Sequence, residues 1–364
     1  MKPLMPTLTL AITIAFIGCG GEGGSSSRQL PNSASAVPAE HYQVIDLAPV
    51  LGAVSSQANA VSGRHVAGYS VLSDMISTRA TFWHDGKAED LGNGVANAIN
   101  SSNQIAGYVS QSDGTSRATL WDHGKVIGLG TLPGFDSCVA NGINDFGVVV
   151  GVCSTTPGNQ AGFLWTAKTG MQPIAGAAIA NAVNKSEAIA GEDTNFHAAI
   201  FKRGTETDLG LFAVFAVATA VNKSGQAVGV SPPDYIRGSH AFFYPGGGAK
   251  IQDLGTFTAS SDDTVATGIS DSALVVGVDL YPPGGAHYTL GSARTLTPHP
   301  RTINYWTSLA FIWTAKTGLI DLNTLISSGS GWKLSGAFGI DHNGRAIVGA
   351  GLIGEEVHGF MLTP

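Results

Sequence analysis

A short phrase recurs seven times along this 364-residue chain and limits its fold more than any other feature. It reads Ala-x-Ala/Gly-Ile/Val-Asn/Asp/Ser, then a tight turn, two or three apolar residues and a glycine. The closing glycines are Gly68, Gly107, Gly151, Gly191, Gly229, Gly277 and Gly349. Their spacings are 39, 44, 40, 38, 48 and 72 residues, so one unit of roughly 40 residues repeats and the sixth copy carries a large insertion.

Each unit continues with an aromatic segment, a polar turn and a segment that ends in Asp-Leu. Residues 79–83 (Arg-Ala-Thr-Phe-Trp), the turn 84–87 and the pair Asp90-Leu91 show this order in the first unit. Each unit therefore holds four short strands, which we label a, b, c and d, and this is the period of a propeller blade. With 49 glycines and only 12% charged residues, the composition also favours an all-β fold with tight turns. We predict a seven-bladed β-propeller over residues 41–364.

The two ends of the repeat array complement each other. The last unit stops after its strand c, at Pro364, and residues 42–47 (Tyr-Gln-Val-Ile-Asp-Leu) match the strand d pattern. We expect the N-terminal strand to complete the last blade and close the ring, which removes open sheet edges. A β-solenoid is the alternative, although it would not need its first fragment to complement its last.

These phrases resemble the HAF repeats of bacterial extracellular proteins. His240-Ala241-Phe242 carries the name motif, and residues 165–170 and 313–318 (both Trp-Thr-Ala-Lys-Thr-Gly) match its turn. Residues 253–256 (Asp-Leu-Gly-Thr) and 128–132 (Gly-Leu-Gly-Thr-Leu) match its Asp-Leu-Gly-Thr-Leu strand. The resemblance covers residues 41–364 and implies an exported, propeller-like protein. It implies no catalytic residues.

The first 40 residues have the features of an export signal followed by a tether. Residues 1–18 are typical of a signal peptide, with a weakly basic start and an apolar run too short to span a bilayer. Residues 16–19 (Phe-Ile-Gly-Cys) resemble a bacterial lipobox, although leucine is more usual at the place of Phe16. We expect a lipid on Cys19, a Gly/Ser-rich tether over residues 19–40 and attachment to the cell envelope, outer membrane or cell surface, with membrane contact through the anchor alone. The alternative is an ordinary signal peptide and a secreted protein.

Two further cysteines bracket the a–b hairpin of the third unit. If Asn144 pairs with Gly147 across the turn, Cys138 and Cys153 lie opposite each other on neighbouring strands. We predict a disulfide between them, because an exported protein meets an oxidising environment. Two buried free thiols are the alternative.

The variable b–c and d–a loops emerge on one side of a propeller, which we call the loop face. The uniform a–b and c–d turns emerge on the other, which we call the turn face. Variable loops on a rigid scaffold are the usual place for binding. The net charge is −7 and the loop face carries more acids than bases, which disfavours nucleic acid and favours cations or basic partners. We assign no cofactor, with calcium as the one candidate ion, and we expect a monomer.

The insertion of the sixth unit, residues 279–305, is the most distinctive loop. Together with a neighbouring b–c loop and d–a loop it concentrates aromatic, arginine and histidine side chains, which suit a carbohydrate or protein ligand. The candidate binding residues are Asp234, Tyr235, Arg237, Tyr281, His287, Tyr288, Arg294, His299, Arg301, Tyr305 and Trp332. A lineage-specific insertion without a binding role is the alternative.

Three functions follow from this pattern. The first is a binding module that acts through the loop face. The second is a polysaccharide hydrolase or lyase that uses paired carboxylates such as Asp262-Asp263 or Glu355-Glu356 as acid and base. The third is a passive envelope protein. We assign no catalytic residue and no metal ligand, because His197, His240 and His358 share one repeat position and are interpreted as structural.

Overall fold

The computed structural model describes residues 41–155, 158–233, 238–257, 263–280, 305 and 307–364. Within these ranges the fold is all-β, and the helical content is a single 3-10 turn, Leu322–Leu325. No helix in this part of the chain is long and apolar enough to cross a bilayer.

The strands form six antiparallel sheets, and β1 (Gln43–Leu47) belongs to the last of them. The first sheet has seven strands: β2 (Ala53–Ser62), β3 (His65–Leu72), β4 (Thr78–His84), β5 (Lys87–Ile99), β6 (Ile105–Ser110), β7 (Ser116–Asp122) and β8 (Lys125–Gly128). The second has β9 (Ser137–Ile143), β10 (Val149–Ser154), β11 (Gln160–Thr166) and β12 (Gly170–Pro173). The third has β13 (Ala177–Val183), β14 (Ile189–Asp193), β15 (Ala198–Lys202) and β16 (Thr205–Gly210). The fourth has β17 (Val217–Val221), β18 (Ala227–Ser231), β19 (His240–Tyr244) and β20 (Gln252–Asp253). The fifth has β21 (Thr264–Ile269), β22 (Val275–Asp279), β23 (Leu309–Thr314) and β24 (Gly318–Asp321). The sixth joins β1 to β27 (Glu356–Thr363), β26 (Ile347–Ile353) and β25 (Trp332–Ile340).

The seven-stranded sheet contains two sequence repeats because β5 serves both. Its first half pairs with β4, with Thr81 opposite Asp90, and is the strand d of the first repeat. Its second half pairs with β6, with Ala96 opposite Gly107, and is the strand a of the second repeat. The chain therefore passes from one repeat to the next here without leaving the strand.

The sixth sheet takes its fourth strand from the N-terminal end of the described chain. β1 runs antiparallel to β27, with Gln43 opposite Thr363 and Leu47 opposite Gly359. The side chains repeat this link, because His358 Nδ1 lies 2.9 Å from Asp46 Oδ1.

The recurring glycine is required where strand b faces an aromatic ring of strand c. Gly151 pairs with Phe163 and Gly229 with Phe242 across their ladders, and both rings are fully buried. A Cβ on Gly151 would lie 2.7 Å from the ring carbons of Phe163, closer than packed carbon atoms approach. A Cβ on Gly151 would lie closer still to the backbone oxygen of Val139, and each of the seven repeat glycines faces a strand a carbonyl in this way. The glycine thus makes room for the backbone of strand a and, in these two sheets, also for the ring of strand c.

Every strand a carries a β-bulge at the variable position of the phrase. The extra residues are Asn59, Asn97, Asn141, Asn181, Thr219, Thr267 and Phe338. The first six donate a side-chain hydrogen bond to the backbone carbonyl that precedes the bulge of the next repeat. The acceptors are Ala96, Ala140, Ala180, Ala218, Ala266 and Ala337, at 2.7–3.1 Å.

These six side-chain hydrogen bonds join the a strands of successive repeats, which pack side by side. β2 lies against β5, and the series continues through β9, β13, β17 and β21 to β25, which lies against β2. At that last junction Phe338 has no side-chain donor, and Gly339 sits directly against the backbone oxygen of Asn59. A similarly close backbone contact occurs at Gly142, where Asn141 keeps its side-chain hydrogen bond, so the β25–β2 junction differs from that one in lacking the donor.

Cys138 and Cys153 form a disulfide with their Cα atoms 4.0 Å apart. Gly147 N donates to Asn144 O across the turn, as expected, but Asn144 N donates to Val148 O, so the ladder next to the turn is one residue out of the predicted register. The bulge at Asn141 shifts the ladder back by one, so that Cys153 still lies opposite Cys138. Both thiol positions are buried in the core between the sheets.

Candidate binding face

The turn face is held by a second set of asparagine side chains, at the end of the repeated phrase. Asn100, Asn144, Asn184 and Asn222 are buried, and each Nδ2 donates to the backbone carbonyl of the corresponding residue in the next repeat at 2.8–3.1 Å. Each Oδ1 accepts two amides of its own turn, as from Ser186 and Ala188 onto Asn184. These turns are therefore fixed both within and between repeats, which leaves the opposite face as the variable one.

Strands c and d meet near the loop face through one charged pair that recurs in four sheets. Arg79 Nη2 lies 2.7 Å from Asp90, and the Nδ1 atoms of His197, His240 and His358 lie 2.8–2.9 Å from Asp208, Asp253 and Asp46. In three of the four, the same aspartate also accepts the amide of the glycine two residues later. The histidines that share this repeat position are thus structural partners of the strand d aspartates.

These contacts shift the pKa values of individual members of the pairs. The hydrogen bond to Asp208 raises the pKa of His197 above its ordinary value, against the opposing effect of burial. Burial by itself would raise the pKa of Asp253. The hydrogen bonds from His240 and the Gly255 amide outweigh this effect and hold the pKa of Asp253 below its ordinary value.

The second repeat keeps the strand c arginine and lacks the strand d aspartate. Thr119 pairs with Gly128 in the register in which Thr81 pairs with Asp90, so Gly128 occupies the aspartate's position. Arg117 Nη1 donates instead to the backbone oxygen of Asp136.

An open groove of about 500 Å³ lies beside this arginine on the loop face. Its walls come from the b–c loop of the second repeat and from the d–a loop that leads into the third. The lining residues are Asp113, Thr115, Arg117, Gly130, Thr131, Phe135 and Asp136. Asp113 accepts hydrogen bonds from the amide and hydroxyl of Thr115, which lower the pKa of its carboxyl and keep it charged. The sequence did not single out this place, although a strand c arginine without its strand d aspartate was a readable signal.

The predicted binding residues are only partly within the described chain. Those outside it are Asp234, Tyr235, Arg237, Tyr281, His287, Tyr288, Arg294, His299 and Arg301, and the predicted lipidation site Cys19 also lies outside.

The two predicted binding residues that the structure describes both lie at β25. The Tyr305 hydroxyl donates to Gln57 Oε1 at 3.2 Å, and its backbone oxygen accepts from Ser335 Oγ. Burial raises the pKa of Tyr305 above its ordinary value. Trp332 begins β25 half-buried and packs edge-on against Phe360, with ring centroids 6.2 Å apart. Tyr305 thus bridges β2 and β25, while Trp332 joins the core.

The acid pairs proposed for glycoside chemistry are separate from the groove. Asp262 lies outside the described residues, and Asp263 is buried and accepts the amide of Ser239 at 2.7 Å. Glu355 and Glu356 are exposed at the hairpin before β27. Across the described ranges no group of three or more histidine, cysteine or acidic side chains is arranged to hold a metal ion.

No family model matches the chain and no curated protein matches it. Several solved structures share its fold. The β-propeller domain of the Trilobed protease from Pyrococcus furiosus superposes with a TM-score of 0.52 at 9% identity, over 85% of this chain and 95% of that one. An oligogalacturonate lyase in complex with manganese superposes with a TM-score of 0.53 at 11% identity, over 89% and 96%. TolB from Acinetobacter baumannii matches at 13% identity and a TM-score of 0.47, over 71% of this chain and 64% of that one. At these identities the likeness establishes the fold, and the chain is a β-propeller.

Proposed function

We propose that the chain is an exported, lipid-anchored β-propeller of the HAF-repeat family, with seven blades in a closed ring, which binds a ligand through its loop face. The seven bulged a strands and the division of β5 between two repeats support the blade number. The contact of β25 with β2 and the pairing of β1 with β27 support closure. The Pyrococcus furiosus domain is described as having an open velcro topology, whereas we propose a closed ring for this chain.

The observation that carries the binding role is the difference between the two faces. On the turn face, the repeated asparagines hydrogen-bond the turn of one repeat to the turn of the next. The loop face has variable loops, and two of them, from neighbouring repeats, enclose an open groove lined by charged and hydroxyl side chains. A rigid scaffold that presents variable loops and a groove is the usual arrangement of a binding protein.

The ligand role is tested with a thermal-shift screen of the full chain carrying Cys19→Ala. The panel holds oligosaccharides, peptides, calcium and other divalent ions. A true ligand at about 100 times its dissociation constant stabilises by roughly 2.7 kcal/mol and raises Tm by a degree or more. Breakdown products in the same mixtures would replace the binding role with a hydrolase or lyase. Silence across the panel, together with the absence of a protein partner in pull-down experiments, would leave a passive envelope protein.

The anchor is tested separately by fractionating cells that express the wild-type chain and Cys19→Ala. We expect the wild type in the membrane fraction and the variant in the soluble fraction. Retention of Cys19→Ala in the membrane would overturn the anchor and leave the binding role untouched.

A further inference from the structure

The second repeat has kept the cation of a recurrent ion pair and lost its anion. In the first repeat, Arg79 directs Nε and Nη2 at the carboxylate of Asp90, with distances of 2.7–3.0 Å. The second repeat has the same strand c sequence, Arg-Ala-Thr followed by an aliphatic or aromatic residue and tryptophan, but Gly128 stands opposite. Among the described residues, Arg117 uses Nη1 for Asp136 O and has no hydrogen-bond partner for Nε or Nη2.

The place of the missing carboxylate is open space. A Cβ added to Gly128 would have no atom within 4 Å, and the residue's φ lies outside the left-handed region, so no backbone constraint calls for glycine. The guanidinium therefore faces the groove with the fork of N–H groups that its counterpart uses to bind a carboxylate.

The other groove residues suit a sugar. Phe135 is half-buried and fixed against the core, so its ring can cover the apolar face of a pyranose. Thr131 offers a hydroxyl, Thr115 Oγ1 donates to Asp113 and can still accept, and the Asp113 and Asp136 carboxylates can accept hydrogen bonds from sugar hydroxyls. With two acids and one arginine, the groove repels a polyanion and favours a ligand with one carboxylate among several hydroxyls.

We propose that this groove binds a hexuronate residue of a carbohydrate, with its carboxylate on Nε and Nη2 of Arg117 where four other repeats place a paired aspartate. This assignment rests on the proposed binding role of the loop face and names its ligand class. A peptide carboxylate would satisfy Arg117 equally well, but a peptide brings fewer donors to the Asp113 and Asp136 carboxylates than a sugar with several hydroxyls does.

The test is calorimetric titration of the full chain carrying Cys19→Ala with two disaccharides. One is glucuronosyl-glucose and the other is cellobiose, which replaces the carboxylate with a hydroxymethyl group. We expect cellobiose to bind at least 10-fold more weakly. Equal affinities for the two sugars, or an acidic tripeptide that binds as tightly as the uronide, would overturn the proposal.

Three variants localise the site. Arg117→Gln should weaken uronide binding at least 10-fold. Gly128→Asp should do the same with no loss of Tm, because it restores the intrachain partner that four other repeats already use. Arg79→Gln, which removes the paired arginine, should bind the uronide as the parent chain does. Unchanged uronide affinity in Gly128→Asp would overturn the proposal.

Failure of this inference can be told from failure of the binding role. If neither disaccharide binds but another ligand of the thermal-shift panel does, the uronide assignment is wrong and the loop-face role stands. If no ligand or partner is found by any of these routes, both are wrong.

Discussion

At the scale of single residues, Asn184 shows why asparagine ends the repeated phrase. Its side chain is 4% exposed, its Nδ2 donates to Asn222 O at 2.8 Å and its Oδ1 accepts two amides of its own turn at 2.9 Å. Asparagine combines a donor and an acceptor on a short stem, and aspartate or serine at this position lacks the amide donor. One side chain thus closes a turn and links two repeats.

Replacing this asparagine should be costly. Asn184→Ala removes three hydrogen bonds and leaves buried backbone groups unsatisfied, so we expect a loss of about 2–4 kcal/mol in the free energy of unfolding, measured by urea denaturation. Ser186→Ala changes an exposed side chain in the same turn and should cost less than about 0.5 kcal/mol. Similar losses in the two variants would contradict the linking role.

The His197–Asp208 pair makes part of the stability depend on pH. The pKa of His197 is raised in the folded chain, so the charged pair stabilises the fold fully below the unfolded pKa of about 6.5 and loses this contribution as the pH rises through the folded pKa. His197→Gln should therefore cost more at pH 5.5 than at pH 9, by less than about 1 kcal/mol because a third of the side chain is exposed.

Chemical denaturation of wild type and His197→Gln at the two pH values measures this difference. Asp208→Asn should remove the same pH-dependent part, and the double variant should lose little more. A cost of His197→Gln that rises with pH would have the wrong sign for this pair.

At the scale of elements, the junction between β25 and β2 differs from the other six. There the bulge residue Phe338 has no side-chain donor, and a Cβ on the next residue, Gly339, would lie 2.7 Å from Asn59 O. At the equivalent Gly268, the nearest atoms are side-chain methyl groups of Ile340 and Val276, at 3.2 Å. The same methyl group is thus opposed by backbone at one junction and by movable side chains at the other.

Gly339→Ala should destabilise the protein by about 1–3 kcal/mol, as overpacking in a core does, and Gly268→Ala by less than about 1 kcal/mol. Urea unfolding of both variants at constant pH measures the difference. Equal midpoints would mean that β25 does not seat as closely on β2 as the structure describes.

The sequence predicted the strand order of each repeat because that order is written locally, in alternating apolar residues, turn glycines and the Asp-Leu pair. It did not reveal the side-chain hydrogen bonds between repeats, since each of them joins residues roughly 40 or more positions apart. For the bulge residues, the donor also occupies the variable position of the phrase, as Asn141 and Thr219 show. The sequence predicted the contact between Asn144 and Gly147 but not the bulge at Asn141, because a bulge depends on the pairing with the partner strand. Of the predicted binding residues, only Tyr305 and Trp332 lie within the described chain. Tyr305 hydrogen-bonds to Gln57 and Ser335, and Trp332 packs against Phe360, and neither contact could be predicted from the residue type alone.

At the scale of the whole molecule, β1 supplies the fourth strand of the sixth sheet from the other end of the described chain. A chain that begins at Pro49 lacks β1 and the Asp46 partner of His358, and it exposes the edge of β27. We expect it to have a lower Tm and to associate through that edge, as seen by size-exclusion chromatography. A control chain that begins at His41 keeps β1 and should be monomeric with the Tm of the full domain. Equal behaviour of the two chains would contradict a closed ring.

The direction of β1 also decides how the molecule would be presented at a surface. Gln43 pairs with Thr363, next to Leu362, which pairs with Ile347 at the end of the Asp341–Ala346 turn, so β1 begins at the turn face and runs toward the loop face. If the proposed lipid anchor on Cys19 is present, the chain that follows it would enter the propeller domain on the turn face, where β1 begins. The groove would look outward from the cell, toward polymers arriving from the surroundings and away from the lipids beneath.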